Sequence, residues 1–116
     1  MRLCESEEKV MSILWTHDTI SAKQVSLIAK ELFGWNKNTT YTILTKLVSK
    51  KCVLREDPGF LCSALLSMSE VKSEETSALL NKYYEGSRMA LFSALISDVQ
   101  LSPEEIDQLR NMIKKE

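Results

Sequence analysis

The sequence predicts a mostly α-helical fold with a small β-hairpin wing: a winged helix-turn-helix domain over residues 1–68, then a helical dimerisation module over 69–116. Three features predict it. Three helix-period segments come first, a Pro-Gly turn between two short apolar runs follows, and the remainder is again helix-periodic. With 116 residues the chain is one domain, or one small domain plus an appendage. Its 44% apolar and 27% charged residues are ordinary for a folded soluble protein. No run of 18 apolar residues exists, so no membrane span is expected. Met1 to Val10 is charged and has no apolar h-region, so no secretory leader is expected. The odd set Cys4, Cys52 and Cys62 has no framework spacing and points to a reducing cytoplasm.

The first helix is expected from Glu7 to Thr16. Ser6 is its N-cap, Glu7 and Glu8 suit the helix dipole, and Val10, Ile13 and Leu14 form the apolar stripe beside Met11 and Trp15. Ser21-Ala22-Lys23-Gln24 has the form of a capping box and opens a helix to Phe33, with Val25, Ile28, Ala29 and Leu32 inward and Gly34 at its end. The third helix starts near Asn38, with Thr40, Ile43, Leu44 and Leu47 on one face. Cys52–Arg55 and Phe60–Leu65 flank Glu56-Asp57-Pro58-Gly59 as hairpin strands, and Ile20 adds a short third strand. Ser69 caps a helix to Tyr84 or Glu85, Gly86 ends it, and Ser87 opens the next. Ser102-Pro103-Glu104-Glu105 starts the last helix, whose stripe is Ile106, Leu109 and Ile113.

Met89 to Val99 holds eight apolar residues of 11, too many for one buried stripe. Such a helix is buried against a partner, most simply a second copy of the chain. The alternative is packing back onto the N-terminal domain.

Catalysis is thinly supplied. The single His17 precludes a His-based metal cluster, and CxxC, phosphate-loop and G-x-S-x-G motifs are absent. No enzyme, cofactor or metal is expected. Residues 1–68 carry nine Lys/Arg against seven Asp/Glu, whereas 69–116 carry six against nine. Within 36–55 there are five cations and no acid, which marks either an anion-binding surface or a solvated face. A surface helix normally mixes Glu with Lys, and the third helix has no Glu.

The segment from Trp35 through Asn36-Lys37-Asn38-Thr39-Thr40-Tyr41-Thr42-Ile43-Leu44-Thr45-Lys46-Leu47 to Val48 resembles the recognition helix of the penicillinase-repressor (BlaI/MecI/CopY) family. Glu8–Trp15, Tyr84–Ser87 and Leu101–Leu109 are similar to other parts of that family, in the same order. The resemblance implies a homodimeric transcriptional repressor whose winged domains bind double-stranded palindromic operators of the TACA/TGTA type. It also implies derepression by a regulatory protease, near Ala94-Leu95 here. The cysteine cluster of the family's copper-sensing branch is missing after Leu65, and so is the Asn-Phe pair of its antibiotic branch. The glycine usual before the wing is replaced by Lys51-Cys52. The other reading is a winged helix that binds protein and not nucleic acid.

On this reading Asn38, Thr39, Tyr41 and Thr42 reach base edges from the first turns of the third helix. Asn38 serves either there or as the helix N-cap. Lys37, Thr45, Lys46, Lys50 and Arg55 contact phosphates, or are solvated, Lys50 above all. Leu79, Leu80, Tyr83, Tyr84, Met89, Leu91, Phe92, Leu95 and Ile96 form the dimer interface. Trp15 flanks the core, and Trp35 is either a staple on the third helix or a phosphate contact. Cys52 and Cys62 fall in the two wing strands, as a thiol pair or as small hydrophobes.

Overall fold

The computed structural model describes residues 3–98 and 100–114. The element order is α1 (Glu5–Leu14), β1 (Ile20–Ser21), α2 (Ala22–Phe33), α3 (Lys37–Ser49), β2 (Val53–Glu56), β3 (Leu61–Ala64), α4 (Met68–Tyr83), α5 (Arg88–Asp98) and α6 (Pro103–Lys114). The sheet is antiparallel in the order β1-β3-β2, with Ile20 opposite Cys62 and Val53 opposite Ala64. This is the expected winged helix-turn-helix order with further helices behind it. Compactness divides the chain between Glu75 and Thr76, inside α4.

In the first unit α1, α2, α3 and the sheet enclose one core. Val10, Met11 and Leu14 of α1 meet Val25 and Ala29 of α2 and Leu44 and Leu47 of α3, with Val53 and Cys62 from the wing. The Trp15 indole N–H donates to the Leu66 carbonyl at 2.8 Å and ties α1 to the segment after β3. Thr40 lies fully buried on the α3 stripe, and its hydroxyl has no hydrogen-bond partner among the described residues. The sheet register corrects the idea that Cys52 and Cys62 adjoin. Cys62 lies opposite Arg55, so Cys52 is three residues further along the strand, roughly 10 Å away, beyond the ~7 Å a disulfide spans. Both are buried, and neither is in a disulfide. Burial raises both pKa values, that of Cys62 to about 11, so both pack as small hydrophobes at neutral pH.

Helix ends follow cap chemistry, partly at other residues than expected. Ser21 and Gln24 form the reciprocal box, and Gly34 ends α2 at φ 72°. The α1 cap is Cys4, not Ser6, because the Glu7 carboxylate reaches back to the Cys4 N–H at 2.9 Å. The α4 cap is Ser67, not Ser69, since Ser67 and Glu70 bond reciprocally. Leu32 is 63% exposed, not inward. Ala22, Val25, Ser26 and Ala29 set the buried direction of α2, and Leu32 falls roughly 70° from it. Lys51 takes the left-handed conformation itself, at φ 64°. The Lys51 and Cys52 N–H groups donate to the Val48 and Leu47 carbonyls, the Schellman closure of α3.

One ion pair joins α1 to the end of α3. Glu7 is 3% exposed, and its carboxylate lies 2.7 Å from the Lys50 ammonium. Burial pushes the Glu7 carboxyl up, but the hydrogen bonds from Lys50 and the Cys4 N–H outweigh it, and the net pKa lies below the ordinary 4.5. The bond to Glu7 holds Lys50 above its ordinary value.

In the second unit Ser87 caps α5 and Ser102 caps α6, each by accepting the N–H three residues on. Glu105 returns a bond to the Ser102 N–H, as the sequence predicts. Val99, the last residue of the expected apolar segment, lies outside the described residues.

Two outcomes are expected. Lys51→Gly should stabilise the chain by about 0.5–1 kcal/mol in urea unfolding, because glycine adopts positive φ without the steric cost. The depressed Glu7 pKa makes the pair's contribution full above about pH 4.5 and lost as pH falls through the folded value. Unfolding midpoints across acid pH should therefore show a limb that Glu7→Gln flattens. Lys50→Met should destabilise more than Glu7→Gln at neutral pH, since it strands a buried carboxylate while the other leaves a lysine that can turn to water.

Candidate nucleic-acid interface

The turn between α2 and α3 is short because both of its ends are capped. Gly34 closes α2, and the Asn36 side chain accepts the Thr39 N–H at 2.8 Å to open α3. Asn36 is therefore the N-cap, and Asn38 sits in the first turn with its side chain exposed. Thr40, Ile43, Leu44 and Leu47 are buried, as the helical period predicts. Their burial fixes the rotation of α3 about its own axis. On the 100° spacing of a helix, Asn38, Thr42, Thr45 and Ser49 then lie opposite the core, with Thr39 and Lys46 on one flank and Tyr41 on the other. All of these except Tyr41 are exposed. The face is hydroxyl, amide and cation, without a carboxylate on the helix itself.

The cations differ in their surroundings. Lys46 is exposed and has no carboxylate within salt-bridge distance among the described residues. Lys37 is exposed, with its ammonium 5.4 Å from the Tyr41 ring centroid. Lys50 is committed to the buried Glu7 carboxylate, so its charge is neutralised within the fold. Arg55 on β2 pairs with exposed Asp57 at 3.1 Å, and its guanidinium carbon lies 3.7 Å from the Phe60 ring centroid. The Thr45 hydroxyl donates to the Tyr41 carbonyl at 2.9 Å, which leaves only its lone pairs facing outward. A phosphate oxygen is an acceptor, so Thr45 has to break that bond to donate to one.

Tyr41 is half-buried, and its ring meets the Phe60 ring edge-on at 5.8 Å. Trp35 is half-buried, and its ring lies 5.0 Å from that of Phe33 at a tilt of 45°, so this ring contact is with α2. Two structural residues carry little signal in the sequence. Glu7 has the pattern of a first-turn acid, though its spacing of three from Cys4 is that of a reciprocal cap. Phe60 has the pattern of a strand residue, though it directly follows Pro-Gly.

In the second unit the expected interface residues leave apolar surface uncovered. Tyr83 is 65% exposed and Met89 72%, with Leu79, Leu95 and Ile96 also exposed, while Leu80, Tyr84, Leu91 and Phe92 are half-buried. Phe92 and Ile96 line an open apolar groove of about 570 Å³ with Leu101, Ile106, Leu109 and Ile113. Among the described residues no cluster of three metal-ligating side chains occurs, and no helix is long and apolar enough to cross a membrane.

The chain is similar to known proteins in sequence and in fold. A family model described as penicillinase repressor matches residues 3–115. The chain is 23% identical over 116 residues to the penicillinase repressor of Bacillus licheniformis, covering 98% of this chain and 91% of that one. It is 27% identical over 115 residues to the methicillin resistance regulatory protein MecI of Mammaliicoccus sciuri, covering 97% and 94%. Its fold is similar to the solution structure of the DNA-binding domain of the repressor BlaI, with a TM-score of 0.56 and 22% identity over 60% of this chain and 87% of that one. It is also similar to the oxidised form of MarR from E. coli, with a TM-score of 0.50 and 20% identity over 97% and 74%. The chain belongs to the penicillinase repressor family and is a winged-helix, DNA-binding transcriptional repressor, not an enzyme.

Proposed function

We propose that the chain represses transcription in the cytoplasm as a homodimer on a palindromic operator of the TACA/TGTA type. Residues 1–68 bind DNA and 69–116 hold the dimer. One observation carries the reading of the site: α3 buries a single apolar stripe and leaves the opposite face exposed, rich in hydroxyls and amide and free of acid. Asn38, Thr39 and Thr42 on that face contact base edges in the major groove. Asn suits adenine, and the threonine methyl suits the thymine methyl. Tyr41 lies at the edge of this set and turns toward the wing. Lys37, Lys46 and Arg55 neutralise phosphates and so orient the protein without reading sequence. Thr45 is a weaker phosphate contact, and Lys50 serves the fold.

The dimer is supported by the exposed Tyr83, Met89, Leu95 and Ile96 and by the apolar groove of the second unit, surface that a lone chain leaves against water. Leu79, Leu80, Tyr84, Leu91 and Phe92 complete that interface. Derepression through a protease acting near Ala94-Leu95 belongs to the same reading. Leu95 is exposed on α5, so a cut there requires local unwinding of the helix and breaks the dimer module.

Affinity should divide into two separable parts. With about three cations per subunit on phosphates, a dimer neutralises about six, and log affinity should fall with log salt at a slope near −5. Lys46→Ala should weaken all sequences alike and flatten that slope by one to two units. Thr42→Ala should keep the slope and cost about 1–3 kcal/mol per half-site on the dyad alone. Mobility shifts on dyad and scrambled duplexes at several salt concentrations check both, and wild-type behaviour of both variants would remove α3 as the reader. In sedimentation the intact chain should run as a dimer at micromolar concentration, and Phe92→Asp should dissociate it or unfold the module. A monomeric intact chain would contradict the assembly.

A further inference from the structure

Phe60 adopts φ 47°, the left-handed region, although it is bulky and Gly59 beside it already supplies φ 94° for the turn. Aromatic residues rarely adopt this conformation, and where they do the surroundings hold them there. Here the surroundings are specific. The Phe60 carbonyl accepts the N–H of Ala22, the first residue of α2, at 2.9 Å. One edge contact joins its ring to Tyr41 of α3, at 5.8 Å and 90°. The Arg55 guanidinium lies against the same ring at 3.7 Å, with Asp57 on its Nε at 3.1 Å. A turn needing only positive φ would take glycine or asparagine without strain. The ring therefore serves its neighbours rather than the turn.

We propose that Phe60 is a positioning residue for DNA recognition: it locks the wing onto α3 and holds the Arg55 guanidinium in place for a backbone phosphate. This rests on the DNA-binding reading above. An unrestrained arginine loses rotamer freedom when it meets a phosphate, and stacking on a fixed ring removes much of that loss beforehand. The stacked guanidinium keeps its terminal N–H groups for the phosphate. Asp57 is 61% exposed on its side chain, so its pairing with Arg55 is screened by water and yields to the denser charge of the DNA backbone. Tyr41 sets the position of the ring relative to the exposed face of α3. Arg55 and the readers Asn38, Thr39 and Thr42 are thereby held in one register.

The test uses the full chain with a labelled duplex carrying a TACA/TGTA dyad, the same duplex scrambled, and thermal unfolding of each variant. Phe60→Gly relieves the backbone and should keep or raise the unfolding midpoint, yet weaken dyad binding about tenfold for the dimer. Phe60→Tyr keeps the ring and should bind like the wild type. Arg55→Ala should weaken binding by at least as much, and adding Phe60→Gly to it should cost little more, because the ring acts through Arg55. Phe60→Asn, which also tolerates positive φ, should repeat the glycine result. Wild-type affinity in Phe60→Gly, or losses that multiply in the double variant, would overturn the proposal while leaving DNA binding standing. So would unfolding of both the glycine and asparagine variants, which would make the ring a part of the core. A wild-type chain that binds the dyad no better than the scrambled duplex would overturn the DNA reading and this proposal with it.

Discussion

The rest of the winged unit depends on the burial of one stripe of α3. Thr40, Ile43, Leu44 and Leu47 are the residues this helix gives to the core. They leave one rotation of the helix that hides apolar surface from water. That rotation turns Asn38, Thr42 and Ser49 outward, so the chemistry of the site follows from the packing behind it. The fastenings act at the two ends and the side of the same helix. Asn36 closes its N-terminus, the Lys51 turn and the Glu7–Lys50 pair close its C-terminus, and Tyr41 leans on the wing through Phe60. The buried Glu7 charge is tolerable because its oxygens are met by an ammonium and a backbone N–H.

What was legible in the sequence was mostly local or periodic. The α3 stripe, the Ser21-Gln24 box, the Gly34 stop and the Pro-Gly hairpin each depend on neighbours within about one helical turn or one strand pair. The acid-free run of 36–55 was equally plain. Some of the misses involve partners far along the chain, and others are choices between neighbouring residues of similar type. Glu7 and Lys50 stand 43 residues apart, and no spacing rule joins them. The separation of Cys52 and Cys62 depends on the hairpin register, which a Pro-Gly signal leaves open. Leu32 has the right period but sits at the edge of a stripe that Ser26 helps to centre. Asn36 and Asn38 are both good caps by residue type, and only the backbone shows that the first one takes the Thr39 N–H.

The second unit follows a different logic. It buries no side chain of α6 fully, and α5 keeps large apolar residues against solvent. Strong caps at Ser87 and Ser102 define where its helices start, but caps do not provide a core. Its stability is thereby linked to whatever covers that surface, and a second copy supplies the same apolar chemistry by symmetry. If the chain is the proposed dimer, loss of helical continuity in α5 acts on DNA affinity at a distance, because two half-sites are then bound together only while the two copies stay joined.

On the proposed function, the exposed face of α3 reads base sequence. Amide and methyl resonances of the intact chain, followed with a dyad-bearing duplex and with its scrambled form, test it most directly. The difference between the two titrations should be largest at Asn38, Thr39 and Thr42, with Lys37, Lys46 and Arg55 shifting alike on both duplexes. Equal shifts on both duplexes at Asn38, Thr39 and Thr42, or a sequence-dependent response centred on α2 or α6, would contradict it.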